Sequence, residues 1–254
     1  MNQYKTIFIS DLHLGSKGCN SKLLNNFLKH NNSDVLYLVG DIVDIWKLKK
    51  GKWYWPQSHT NVVRKILGKA KNGTKVKYIL GNHDESFRLW AKEYELTFGN
   101  IHILNQDEYV SVSGKRFLIT HGDFFDGITR MNRWLYYLGD TAYDIVLYLN
   151  IKFNFIRSRI GLPYWSMSKW LKKNVKKALT FIVDFEKNIS KYCKKKNFDG
   201  VICGHIHTPE IKNIDGVIYM NDGDFVESCS ALVETHDGEF KLIFWEEYES
   251  STDN

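Results

Sequence analysis

Proline is scarce, three residues in 254, and no tract of repetitive or biased composition interrupts the chain. Long disordered linkers are thereby excluded. No apolar run approaches the roughly 18 to 20 residues of a membrane span. The opening stretch reaches Asp11 too soon for a secretory signal, so a cytoplasmic location is expected. The four cysteines, Cys19, Cys193, Cys203 and Cys229, form no close pair such as Cys-x-x-Cys. That spacing suits reduced thiols and argues against a disulfide frame or a zinc finger. Cys19, though close in sequence to Asp11 and His13, has no base to activate it and reads as an incidental thiol.

The hydrophobic share of 43% and charged share of 25% are those of an ordinary globular chain, long enough for one large domain or one domain with an insertion. Net charge is +6 but uneven: residues 152–196 carry 13 Lys or Arg against Asp184 and Glu186, while the remainder holds 22 basic and 27 acidic groups. A basic segment on a mildly acidic protein points to an anionic partner, although a solvated helix face has the same composition.

Short runs rich in β-branched and aromatic residues read as buried strands: Thr6–Ile9, Val35–Val39, Val76–Leu80 and Phe117–Thr120. Helix-compatible stretches, Ser21–His30 and Asn61–Lys71, separate the first three, which predicts repeated βαβ units. Later runs, Gly200–Cys203, Val217–Met220, Ala231–Val233 and Phe240–Trp245, have short, turn-rich connections and predict antiparallel continuation. Between them, Leu171, Val175, Ala178, Ile182, Phe185 and Ile189 recur at helical spacing, as do Trp134, Leu138, Ala142, Ile145 and Leu149. Residues 124–196 therefore read as a helical insertion, broken at Gly161-Leu162-Pro163, in a body of residues 1–123 and 197–248 with a disordered tail at 249–254.

The chemistry gathers at the C-terminal ends of the strands. Asp11-Leu12-His13, Gly40-Asp41, Gly81-Asn82-His83-Asp84, His121-Gly122-Asp123 and Gly204-His205-Ile206-His207 all fall there, where open α/β sheets place ligands. Five of the nine histidines lie in these segments. Mixed imidazole and carboxylate donors suit divalent transition metals. In Asp11-x-His13 and His205-x-His207, residues two apart on an extended segment would face one pocket.

In this order, Asp-x-His, Gly-Asp-x-x-Asp, Gly-Asn-His-Asp, His-Gly-Asp and Gly-His-x-His resemble the signature of the calcineurin-like metallophosphoesterases. The resemblance implies a four-layer α/β/β/α sandwich, with the insertion as a helical cap, and a two-metal hydrolase. Asp11, His13, Asp41 and His207 would hold one ion, and Asp41, Asn82, His121 and His205 the other, with Asp41 bridging. Manganese is the favoured ion; Fe, Zn and Co suit the same donors. With seven ligands already supplied, His83 becomes the proton donor or phosphate contact, and Asp44 the carboxylate that fixes its tautomer. Asp44, Asp84 and Asp123 also suit the role of orienting ligating histidines.

Within the superfamily, Asp-Leu-His-Leu-Gly at 11–15, Gly-Asp-Ile-Val-Asp at 40–44 and the helical insertion resemble the UDP-2,3-diacylglucosamine pyrophosphatase group of lipid A synthesis. That likeness implies an amphipathic phosphate substrate, with Asn82, His121, His205, Lys173, Lys176 and Lys177 among its contacts, and a peripheral position on the anionic inner face of the cytoplasmic membrane. The group carries Arg at the position of His83, so the His83–Asp44 pair is that of general phosphoesterases. A phosphomonoesterase or phosphodiesterase acting on another ester, and a non-catalytic scaffold, are the alternatives. The loop Lys47–Trp55 could offer cations and stacking rings, and Pro163–Trp170 suits a membrane interface. No recognised nucleic-acid module is present, which argues against a nucleic-acid partner.

Overall fold

The computed structural model describes residues 2–51, 53–125, 159 and 167–245, the side chains of 48 and 167–180 excepted. The chain divides into two compact units, Met1–Phe125 with Ile189–Asn254, and Asp126–Asn188. The first unit holds both sheets.

Parallel strands β1 (Asn2–Ile9), β2 (Asn31–Val39) and β3 (Lys75–Ile79) are joined by α1 (Ser21–His30) and by the pair α2 (Ile45–Lys49) and α3 (Gln57–Lys71). The helix α4 (Arg88–Glu93) leads to two short strands, β4 (Leu96–Phe98) and β5 (Ile101–Leu104). Next come β6 (Asp107–Val110), β7 (Arg116–Ile119), α5 (Met167–Lys195), β8 (Gly200–Cys203), β9 (Glu210–Ile214), β10 (Val217–Asn221), β11 (Ser230–Glu234) and β12 (Phe240–Phe244). One sheet runs β12-β11-β1-β2-β3-β5-β4 and the other β6-β7-β8-β10-β9.

Period-two alternation divides each central strand between two cores. Ile7, Ile9, Leu36, Leu38 and Val76 face the helices, where Leu24, Phe27 and Leu28 of α1 and Val62, Ile66 and Ala70 of α3 cover them. The intervening Phe8, Tyr37, Val39 and Ile79 face the second sheet and meet Tyr109, Phe117, Ile119, Ile202 and Met220. Each such side chain contributes about 1.5–3 kcal/mol on burial. On the outer side of the second sheet Cys193, in the last turns of α5, is buried beside Cys203. The order of layers is helix, sheet, sheet, helix.

One sequence expectation is overturned. Val217–Asn221 does not continue the sheet antiparallel to Gly200–Cys203: β8 and β10 pair in parallel, Ile218 opposite Gly200 and Asn221 opposite Cys203. The intervening β9, half-exposed and alternating Glu-Ile-Lys-Asn-Ile, serves as the crossover and pairs antiparallel with β10 instead. The antiparallel expectation does hold for β11 with β12 and for β11 with β1. Helical spacing over 171–189 is realised in α5. Trp134–Leu149, Gly161-Leu162-Pro163 and the tail at 249–254 lie outside the described residues.

Candidate metal centre

Every motif follows the last residue of a strand by two or three positions: Asp11 after β1, Asp41 after β2, Asn82 after β3, His121 after β7, and His205 after β8. β1, β2 and β3 run parallel in one sheet and β7 and β8 run parallel in the other, and the chain reversals after all five meet at one cluster of donors. Backbone hydrogen bonds continue the pairing past the strands, from the Asp11 N–H to the Gly40 carbonyl and from the His13 N–H to the Asp41 carbonyl, both 3.0 Å. The parallel β10 adds a sixth strand end. Its Asn221 donates to the Gly204 carbonyl at 2.7 Å, and Asp222 accepts from the Ser10 hydroxyl at 2.7 Å.

The donors do not converge through extended backbone. Asp11 has φ 51, His13 48, Asp41 54, His205 70 and His207 52. All five are non-glycine residues in the left-handed region, a conformation costing on the order of 1–3 kcal/mol each and concentrated at functional sites. Extended pairs would set alternate residues roughly 6 to 7 Å apart along a strand. Left-handed turns coil the same residues round one point.

Oδ2 of Asp41 is the hub, with Nε2 of His121, His83 and His13 at 3.4, 3.8 and 4.0 Å. Oδ1 of Asp11 lies 3.0 Å from His207 Nε2 and 3.7 Å from His13 Nε2. His205 Nδ1 and His121 Nε2 are 3.3 Å apart. The glycines make these approaches possible. A Cβ on Gly81 would stand 2.2 Å from Asp41 Oδ1, and one on Gly40 would stand 2.4 Å from the His121 ring.

The donor set fits divalent cations. Asp11, His13 and His207 bring one candidate ligand atom each to within 4.8 Å of one another, as do Asp11, Asp41 and His121, and also His13, Asp41 and His83. Both ring nitrogens of His13, and Oδ1 of Asn82, are buried with no hydrogen-bond partner. An orphaned buried acceptor costs about 1–3 kcal/mol, which coordination would offset. His121 Nδ1 donates to the Val39 carbonyl at 3.0 Å and so turns Nε2 towards Asp41.

The electrostatics tell the same story. Burial alone would push the Asp11 and Asp41 carboxyls up, but facing histidines, His207 and His121 for Asp11 and His121 and His83 for Asp41, hold both well below the usual range. Burial opposes charge on His121, yet Asp41 and Asp11 raise it to about 10. His13 and His207 are raised against the same opposition, His13 by Asp11, Asp44 and Asp41 and His207 by Asp11 and Asp224.

Around this centre, His83 Nδ1 donates to Asp44 Oδ1 at 2.9 Å. Asp84 accepts from the Ile42 and Gly81 N–H groups and from the Tyr78 hydroxyl. Burial and the nearby Asp41 push Asp84 up to about 6. Asp123 receives both arms of Arg88 at 2.8 Å, and Arg88 also donates to the Leu80 carbonyl, tying the loop of His83 to that of His121. Arg88, Asp222, Trp46 and His59, whose Nδ1 accepts from the Gly15 N–H at 3.1 Å, were not singled out from the sequence. None belongs to a spaced motif. Lys173, Lys176 and Lys177 fall on α5, and their side chains lie outside the described residues.

Comparison with known proteins agrees with this geometry. A family model described as "Calcineurin-like phosphoesterase" matches residues 4–209. The chain is 26% identical to a UDP-2,3-diacylglucosamine hydrolase of Wigglesworthia glossinidia brevipalpis over 81% of its own length and 80% of the relative's. Against the enzyme of that name from Photobacterium profundum, identity is 24% over 92% and 94% of the two chains. Among solved structures, a dimetal phosphatase from Danio rerio is similar at a TM-score of 0.46, 12% identity, and coverage of 95% and 99%.

Proposed function

We propose that this chain, which belongs to the calcineurin-like phosphoesterase family and so is a metal-dependent hydrolase of phosphoester bonds, cleaves the diphosphate of UDP-2,3-diacylglucosamine or a similar nucleotide-linked glycolipid. The observation that carries the hydrolytic reading is the Asp41 carboxylate, shared among His13, His83 and His121 at the centre of the donor cluster.

Asp11, His13, Asp41 and His207 would hold one cation, and Asp41, Asn82, His121 and His205 a second. Manganese is the ion we favour. When bound, such a pair supplies Lewis acidity towards a phosphoryl oxygen and acidifies a water molecule. The remaining work belongs to the protein. His83 is the proton donor: Asp44 holds the proton on Nδ1, and Nε2, on the Asp41 side, delivers its own proton to the leaving oxygen. Asp44 itself, despite burial, is kept well below the carboxylate range by His13 and His83 and stays ionised for this task. The Ser10 hydroxyl is engaged with Asp11, Asp222 and the Gly223 carbonyl, and burial pushes the Cys19 thiol up to about 12. Neither is a nucleophile, so water attacks.

Three features support an amphipathic substrate. Relatives matched over most of their length carry the UDP-2,3-diacylglucosamine hydrolase name. On the segment that follows His83 in the chain, Phe87, Leu89 and Trp90 are 47, 75 and 58% exposed, an apolar surface suited to hydrocarbon. Lys47, Lys49 and Lys50 lie on or just after α2. Residues 124–196, with their excess of Lys and Arg, would meet an anionic membrane surface peripherally. No described helix is long and apolar enough to cross a membrane.

The His83–Asp44 contact favours a second reading, hydrolysis of another phosphodiester or monoester. The test is incubation of the manganese-loaded protein with UDP-2,3-diacylglucosamine and detection of products by mass spectrometry. Release of UMP and the lipid monophosphate supports the first reading. Their absence, with bis-p-nitrophenyl phosphate still hydrolysed, overturns it in favour of the second.

A further inference from the structure

His83 is gripped on more than its edge. Trp46 stacks on its ring, with centroids 4.1 Å apart and planes inclined by 30°. The His13 ring stands perpendicular to it at 4.6 Å and 89°. The backbone N–H of His83 donates to Asp41 Oδ1 at 2.7 Å, and Nδ1 donates to Asp44 Oδ1 at 2.9 Å. A hydrogen bond to Nδ1 fixes where one ring atom lies but leaves the plane free to swing about that contact. A stacked indole removes that freedom.

Both restraints come from one short segment. Asp44 precedes α2, and its Oδ1 also accepts from the Lys47 N–H at 3.1 Å, closing the first turn of the helix. That turn sets Trp46, two residues on, against the face of the ring whose edge Asp44 holds. Asp44-Ile45-Trp46 is therefore a single device addressing the edge and the face of one imidazole. The side chain of His83 is only 13% exposed, so the indole also narrows the access of water to the ring.

We propose that Trp46 is a positioning residue for His83, holding the imidazole plane so that Nε2 meets the leaving oxygen in line for proton transfer. The inference rests on His83 being the proton donor. Misplacement of a reacting group by about 1 Å can cost on the order of 10²-fold in rate, so the loss expected for Trp46→Ala is about 10- to 100-fold in kcat, with a smaller change in KM.

The experiment is a leaving-group series, aryl phosphodiesters running from p-nitrophenol to unsubstituted phenol, measured on the manganese-loaded wild type, Trp46→Ala, Trp46→Phe, His83→Ala and the double variant Trp46→Ala/His83→Ala. Bound metal and Tm are recorded for each. Poor leaving groups need the proton most. Trp46→Ala should therefore steepen the dependence of rate on leaving-group pKa, Trp46→Phe should restore most of the wild-type slope, and Trp46→Ala should add little further loss once His83 is gone. A Trp46→Ala loss equal across the series, or one that persists in full in the His83→Ala background, overturns the positioning role while leaving His83 intact as donor. An unchanged slope in His83→Ala alone overturns the donor reading and this inference with it. Should Trp46→Ala fold poorly, Trp46→Leu, which keeps side-chain bulk but has no aromatic face, takes its place: a steepened slope with metal content and Tm close to wild type supports the positioning role, and a wild-type slope overturns it.

Discussion

Oδ2 of Asp41 stands 3.4 Å from Nε2 of His121, an approach made possible because Gly40 leaves room for the His121 ring and Nδ1 of His121 is tied back to the Val39 carbonyl. Asp41→Ala removes a carboxylate whose Oδ2 faces three imidazoles. Turnover should fall beyond the roughly 10- to 100-fold typical of losing an outer partner of a metal ligand. Bound metal measured by elemental analysis should drop at both positions; retention of two ions per chain would show that Asp41 does not bridge them.

His83→Ala should have the opposite profile. Its ring touches the cluster, but seven other donors remain, so metal content should stay near wild type while kcat falls by about 10²- to 10⁴-fold. Loss of one ion from this variant would make His83 a ligand instead, a role that its place with His13 and Asp41 would also permit.

The metal-free protein should lose stability as the solution becomes alkaline. His121 is raised to about 10 from 6.5, and His13 and His207 are raised too, so their protonated forms are favoured by folding. That contribution is fully present below about pH 6.5 and disappears as pH climbs through the folded values. Asp11, Asp41 and Asp44 are depressed below 3.8, so their contribution is present above about pH 4 and lost on further acidification. Calorimetry in EDTA should give a Tm that declines between about pH 7 and pH 10. Manganese added near pH 7 should release protons, because coordinating histidines must be neutral. A Tm independent of pH over that range would contradict the electrostatic account.

Two glycine-to-alanine changes should have opposite signs. Gly81→Ala puts a methyl 2.2 Å from Asp41 Oδ1 and 2.4 Å from its backbone nitrogen, and should cost about 1–3 kcal/mol along with bound metal. Gly68→Ala, inside α3 with nothing within 4 Å, should stabilise by roughly 0.5–1 kcal/mol. Denaturant titration of both variants checks the pair; equal effects would refute the assignment of Gly81 to close approach.

The sequence made the donors legible because each sits just after a strongly apolar strand, and β1, β2, β3, β7 and β8 were visible as runs of Ile, Val, Leu and Phe. What escaped was set by partners distant in the chain. β4 and β5 are three and four residues long, partly exposed, and carry no periodicity. The parallel course of β10 hides behind β9, whose polar alternation reads as a loop, and with it went Asp222 and Asn221. The left-handed backbone at Asp11, His13 and Asp41 is marked only weakly in residue type, because Asp and His are enriched in that region but also occur widely outside it, and no glycine signals it. Nothing within its own segment marks Trp46 as the stacking partner of a ring 37 residues away.

Those left-handed residues place selection for stability and selection for catalysis in opposition at five positions. Glycine or asparagine would relax the turns at His13, His205 and His207, and a redesign guided by stability alone would choose them. The most thermostable descendants of this chain would then be the first to lose their chemistry, with the sheets and their two cores left untouched.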